Sequence, residues 1–202
     1  VNLYPLLPIL GYLTILIGSA GHSLLRTWNR SLIAFSLQSL GVGLVAWQIA
    51  PMPLAIAKCI VGWLAAALIA ITFSREGTPP TADRQQPVAR FFRSAILLLI
   101  LSAVIAMLPQ IGAVFRNPPI GILFMVGVLL SVGLVNIGFS EEPCRVAISL
   151  LTVLQGFELG YLWMEQSLLL IGLMAAADLA IVLSMITLFS LSQPGHSEEV
   201  NP

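Results

Sequence analysis

Charge is what this sequence has least of. Of its 202 residues only 9% are Asp, Glu, Lys or Arg, nine basic against nine acidic, so it has no basic stripe with which to hold a nucleic acid. Histidine is scarce as well: His22 and His196 have no neighbour at metal-ligand spacing, which argues against a metal site. Cys59 falls in a predicted helix and Cys144 in a short loop, and two cysteines at such different depths suggest neither a disulfide nor a metal pair. No phosphate-binding glycine loop, no Ser/His/Asp set outside the apolar stretches and no haem-ligand histidine pair can be found. A catalytic centre, a cofactor and a soluble small-molecule substrate are therefore not expected.

Apolar residues fill the space. They make up 58% of the chain, and the mean hydropathy of +0.98 lies far outside the range of soluble domains. A helix needs about 20 mostly apolar residues to cross a bilayer, and seven stretches qualify. They run from about Leu3 to Leu24, Ser31 to Ala50, Met52 to Phe73, Phe91 to Leu108, Pro118 to Phe139, Arg145 to Trp163 and Ser167 to Leu188. The fold class expected is an all-α integral membrane protein. The first stretch lacks a basic leader and a small-residue cleavage site, so it is expected to remain as a helix.

The arginines set an expected orientation. Arg26 and Arg30 fall in the first loop, Arg75, Arg84, Arg90 and Arg93 in or beside the third, and Arg145 at the end of the fifth, whereas the opposite side has only Arg116. By the positive-inside rule the N-terminus is outside and the tail "SQPGHSEEV" is cytoplasmic. Residues 74–90, "SREGTPPTADRQQPVAR", form the one long polar loop and read as a linker.

That linker separates two similar segments. Leu37 opens "LQSLGVGLVAWQ" and Leu154 opens "LQGFELGYLWME", with Leu, Gln, Gly and an aromatic neighbour recurring in step. Each is followed by a turn and an apolar helix with one charge: Lys58 lies 20 residues after Gln38, and Asp178 lies 23 after Gln155. Arg30 and Arg145 precede the two glutamines by 8 and 10 residues. These spacings predict two copies of a three-helix unit, residues 1–73 and 118–190, joined by a linker and one helix (74–117) and followed by a short tail (191–202). With four helices from the start of one copy to the start of the next, the repeat is parallel.

The charges inside the apolar stretches are the candidate functional residues. Asp178 lies about 11 residues into its helix, roughly 16 Å from the end and too deep to snorkel. An ionised carboxylate there costs about 2.5 to 3.5 kcal/mol on insertion scales, so it must be protonated, paired or turned towards a polar interior. Lys58 is about 10 Å deep by the same rise, and its long stem can reach towards the interface. If the two copies meet face to face, Lys58 and Asp178 can pair. Glu158 follows Gln155 by three residues on one helical face, nearer the outer surface, and Gln38 is the matching amide of the first copy. Each of these also has a packing role open to it, as an interhelical hydrogen bond or ion pair. Glu165, Trp163, Trp47, Trp28 and Tyr4 read as interfacial belt residues, and the small residues of "GVLLSVG" with Gly18 and Gly21 as close-packing positions.

The segment "EEPCRVAISLLTVLQGFELGYLW" resembles the second helix of the NuoK-type subunit of respiratory complex I, in which an arginine precedes a membrane glutamate by ten residues, the spacing of Arg145 and Gln155. From about Arg30 to Leu188 the chain more closely resembles the HyfE family, component E of group 4 membrane-bound hydrogenases and formate hydrogenlyase. Members carry a "QSL" in helix two, a lysine in helix three and an aspartate in the last helix; here these are Gln38 to Leu40, Lys58 and Asp178. The resemblance implies a subunit without a redox centre, lying beside antiporter-like proton-pumping subunits in a prokaryotic-type inner membrane or a thylakoid. It also exposes a departure: the family's glutamate in helix six is replaced by Gln155, which cannot titrate, with Glu158 one turn along as its substitute. Two further readings follow from the residues, a scaffold subunit with no ion path and a stand-alone secondary transporter. The latter is disfavoured because transporters break helices near the midplane, and the prolines here read as lying at helix ends or in loops.

Overall fold

A computed structural model describes residues 6–24, 28–75, 87–114, 118–140 and 142–192, and these are helical apart from short turns. The helices are Leu6–Leu24 (α1), Trp28–Ala46 (α2), Met52–Arg75 (α3), Pro87–Val114 (α4), Ile120–Phe139 (α5), Pro143–Met164 (α6) and Leu168–Ser192 (α7). Tyr4, Arg26, Arg84, Arg116 and His196, most of the expected linker (76–86) and the tail from 193 lie outside the described residues.

Among the described residues six helices, not seven, are long and apolar enough to cross a membrane. The exception is α2, and its own residues explain why: Asn29, Arg30, Ser31, Ser36, Gln38 and Ser39 dilute its apolar content. Part of this polarity goes with burial, whereas Asn29 and Arg30 at the start of the helix are exposed. Ser31, Gln38 and Ser39 are almost wholly enclosed, because α2 packs against α1, α3 and α6. A helix with neighbours on several sides need not be apolar where it meets them.

Consecutive helices other than α3 and α4 pack as antiparallel hairpins, and glycines set how close they come. A Cβ at Gly18 of α1 would stand 2.7 Å from both the Ala34 carbonyl oxygen and the Gln38 Cβ of α2, and one at Gly133 of α5 would stand 2.8 Å from the Ser149 carbonyl oxygen of α6. Neither position can carry a side chain without parting its hairpin. Beyond these neighbours, α1 packs on α5, α2 on α6 and α3 on α7.

Several helix ends differ from the sequence-based expectation: α2 stops at Ala46 rather than Ala50, α4 begins at Pro87 rather than Phe91, and two further ends have a proline at the difference. Cys144, expected in a loop, is buried in the first turn of α6, because Pro143 begins that helix with a ring already set to helical geometry. The fourth helix, expected to stop at Leu108, continues through Pro109 to Val114. Pro109 has no N–H to give to the Ile105 carbonyl, a single lost bond of a kind that membrane helices tolerate.

Two apolar clusters hold the bundle. One, at the end where α2 finishes and α3 begins, joins Val45, Ala46, Leu54, Leu159, Leu162 and Ile171 with their neighbours; the other, towards the opposite end, joins Phe35, Ala65, Ile69, Ile148, Leu151 and Val182. Outward-facing α4 and α7 are much more open, with Leu98, Leu99, Leu169 and Leu173 exposed as lipid-facing side chains would be.

Candidate functional site

Three helices contribute one charged side chain each to the same buried spot. Lys58 comes from α3, Glu158 from α6 and Asp178 from α7, and they are only 8%, 2% and 4% exposed. Lys58 Nζ forms an ion pair with Glu158 Oε2 and lies 3.7 Å from Asp178 Oδ2. Lys58 is the only lysine in the chain. The long stem that could have carried its ammonium out to the interface instead points it inwards at two carboxyls.

Depth along the helices places this set off-centre. Lys58 is six residues from the start of α3 and Glu158 six from the end of α6, each about 9 Å from the same end of the bundle. Asp178, ten residues into α7, sits a turn or so deeper. Glu158, expected from the sequence to lie nearer the surface, is enclosed because α3 and α7 flank its face of α6. The second Asp178 oxygen, Oδ1, is buried with no hydrogen-bond partner among the described residues.

The two glutamines meet next to the charges. Gln38 Nε2 donates to Gln155 Oε1 at 3.0 Å and lies 3.3 Å from Thr152 Oγ1, while Ser19 Oγ donates to Gln38 Oε1 at 3.0 Å. Gln155 Nε2 donates to Ser39 Oγ at 2.7 Å. Gly62, one turn beyond Lys58 on α3, leaves room for this junction: a Cβ there would stand 2.6 Å from Ser39 Oγ and 3.3 Å from Gln155 Nε2. All five sequence candidates thus fall in one polar layer, three as a charged set and two as a paired amide.

One polar group is not foreshadowed by the sequence pattern. His22, near the end of α1, is 4% exposed and lies 3.3 Å from Asn136 Nδ2, which donates to Ser23 Oγ at 2.8 Å. Its partner is 114 residues away on α5, so no local spacing could have revealed it. The available signal was Asn136 itself, an amide inside an otherwise apolar helix.

Comparison with protein-family models, curated proteins and solved structures finds no match for this chain. Chemistry alone must carry the functional reading. Among the described residues no cluster of His, Cys, Asp and Glu could hold a metal ion. What the charged set can do is hold a proton or a small cation: one ammonium and two carboxyls balance to zero only when one carboxyl is protonated or another cation is present. A net charge left in so enclosed a place would be costly.

Proposed function

We propose that this chain is a membrane subunit of an assembly related to complex I or the group 4 hydrogenases, of the kind the HyfE family supplies, and that it takes part in moving protons or cations. The observation that carries the reading is the buried set of Lys58, Glu158 and Asp178, which has one more carboxyl than it has cations. A set serving only to clamp helices needs one charge of each sign. The extra carboxyl gives a site that can exchange a proton without leaving its partners unpaired.

Other features support the same reading. Contacts of α1 with α5, α2 with α6 and α3 with α7 fit two parallel copies of a three-helix unit. Their matched residues meet as well, Gln38 with Gln155 and Lys58 with Asp178. Gln155 keeps the layer polar but uncharged, and Glu158 takes over the titrating position one turn along. The exposed sides of α4 and α7 suit antiporter-like neighbours or lipid. The arginine-rich loops favour a cytoplasmic C-terminus in a prokaryotic-type inner membrane.

The scaffold reading draws on one specific observation, that Gln38 and Gln155 satisfy each other and their serine and threonine neighbours. Extraction from the native membrane in mild detergent, with mass spectrometry of whatever co-migrates, separates the assembly from the alternatives. Antiporter-like and redox-linked subunits are expected in the band. Migration alone, or as a small oligomer, would overturn the subunit reading in favour of a stand-alone transporter.

A further inference from the structure

Buried polar groups do not stop at the charged set. Along α6, Arg145, Ser149, Thr152, Gln155 and Glu158 are all at most 8% exposed, in steps of four, three, three and three residues. A three-residue step falls about 60° short of a full turn, so the stripe winds around α6 from the neighbourhood of α5, past α2, to α3 and α7. It spans the 14 residues from Arg145 to Glu158, about 20 Å of helix. At its start stand His22 and Ser23 of α1 and Asn136 of α5; midway, Ser19 and Gln38 join it through their hydrogen bonds.

Apolar clusters lie towards both ends of the bundle, but the one on the seam side, with Phe35, Ala65, Ile148 and Val182, has the polar stripe of α6 running beside it, whereas the stripe stops at Glu158 and the cluster of Val45, Ala46, Leu54, Leu159, Leu162 and Ile171 lies beyond Lys58 and Glu158. A charged group next to packed aliphatic side chains has no polar way out in that direction.

We propose that this polar seam is the access route to the charged set, and that Lys58, Glu158 and Asp178 therefore equilibrate with one side of the membrane, the side on which α1 ends and α6 begins. His22, Asn136 and Ser149 form its mouth. The inference deepens the proposed ion path and rests on it for the purpose of the route, though not for its existence. Hydroxyls of Ser19, Ser23 and Thr152 both accept and donate, but the amides of Gln38 and Gln155 cannot pass a proton on, so passage beyond them takes water. Polar atoms able to bind such water mark both ends: Ser31 Oγ, on the Gln38 face of α2, and Asp178 Oδ1 are buried with no hydrogen-bond partner among the described residues. The ionisable groups along the seam are His22 on α1, Glu142 and Arg145 at the start of α6, and the charged set itself; α2 and α5 face it with Ser31, Gln38, Ser39 and Asn136, which do not titrate.

The test uses the full chain, with whatever co-purifies, in sealed vesicles whose orientation is fixed by protease access to a C-terminal tag. Dicyclohexylcarbodiimide reaches buried carboxyls through lipid and reacts with their protonated form, and mass spectrometry reads the adducts on Glu158 and Asp178. Raising the pH by about two units above neutral on the seam side should lower labelling at least about threefold, with little response to the other side. A response to the other side, or equal responses to both, overturns the proposal. In a Cys59→Ala, Cys144→Ala background, Ser149→Cys should react with a membrane-impermeant maleimide from the seam side, and Val45→Cys from neither. Ser149→Cys unreactive from that side would overturn the route. Both readouts stand without any net ion movement, so an ion-inactive protein with one-sided labelling would overturn the proposed function and leave the route intact.

Discussion

Lys58→Met is expected to destabilise the folded bundle by about 3–5 kcal/mol, the cost of removing one partner from a buried ion pair. The substitution keeps an unbranched side chain of similar length, so little packing is lost. It leaves Glu158 and Asp178 together, both enclosed and without the one ammonium that faces them. The penalty comes from these orphaned carboxyls more than from the missing ammonium. Removing their charge as well should therefore restore most of the loss: Lys58→Met with Glu158→Gln and Asp178→Asn is expected to be much closer to the parent than Lys58→Met alone. Unfolding in mixed micelles of rising SDS fraction measures both. A loss below about 1 kcal/mol for Lys58→Met would mean that the set is open to water rather than sealed.

Asp178→Asn is expected to do the opposite, leaving the structure intact and stopping the function. It removes the surplus carboxyl and leaves Lys58 and Glu158 as a one-to-one pair, so stability should stay within about 1 kcal/mol of the parent and co-purifying subunits should be retained. Proton or cation movement by the reconstituted assembly should fall at least about tenfold, because a balanced pair has no proton to exchange without exposing a buried charge. Loss of assembly with this variant would instead point to Asp178 as a structural contact. Unchanged transport in an intact assembly would remove the set from the ion path.

Much of this arrangement is legible in the amino-acid sequence alone. The apolar stretches locate the helices because length and hydropathy are what a bilayer demands, and Asp178 stands out because nothing near it in sequence offers a partner. Its partners come from elsewhere: Lys58 and Glu158 lie 120 and 20 residues away, and only the meeting of α3, α6 and α7 brings them together. The sequence reading of α2 as a seventh crossing stretch is not matched, since its polar residues leave it short of the apolar content a span needs, and a helix enclosed by three others can accommodate Gln38 and Ser39. His22 is hidden in the same way, its partner being an asparagine on another helix. Proline misleads at α4, where the helix runs through Pro109 because membrane helices tolerate one lost backbone bond.

The charge balance of the buried set is the claim on which the rest depends, and infrared spectroscopy of the purified protein at neutral pH tests it most directly. One enclosed, protonated carboxyl should give a resolved carbonyl band that persists at neutral pH and disappears in the Glu158→Gln, Asp178→Asn double variant. If no such band is present, or if it survives in that variant, the surplus carboxyl is ionised or the proton lies elsewhere, and the account of this site as an exchangeable proton store is wrong.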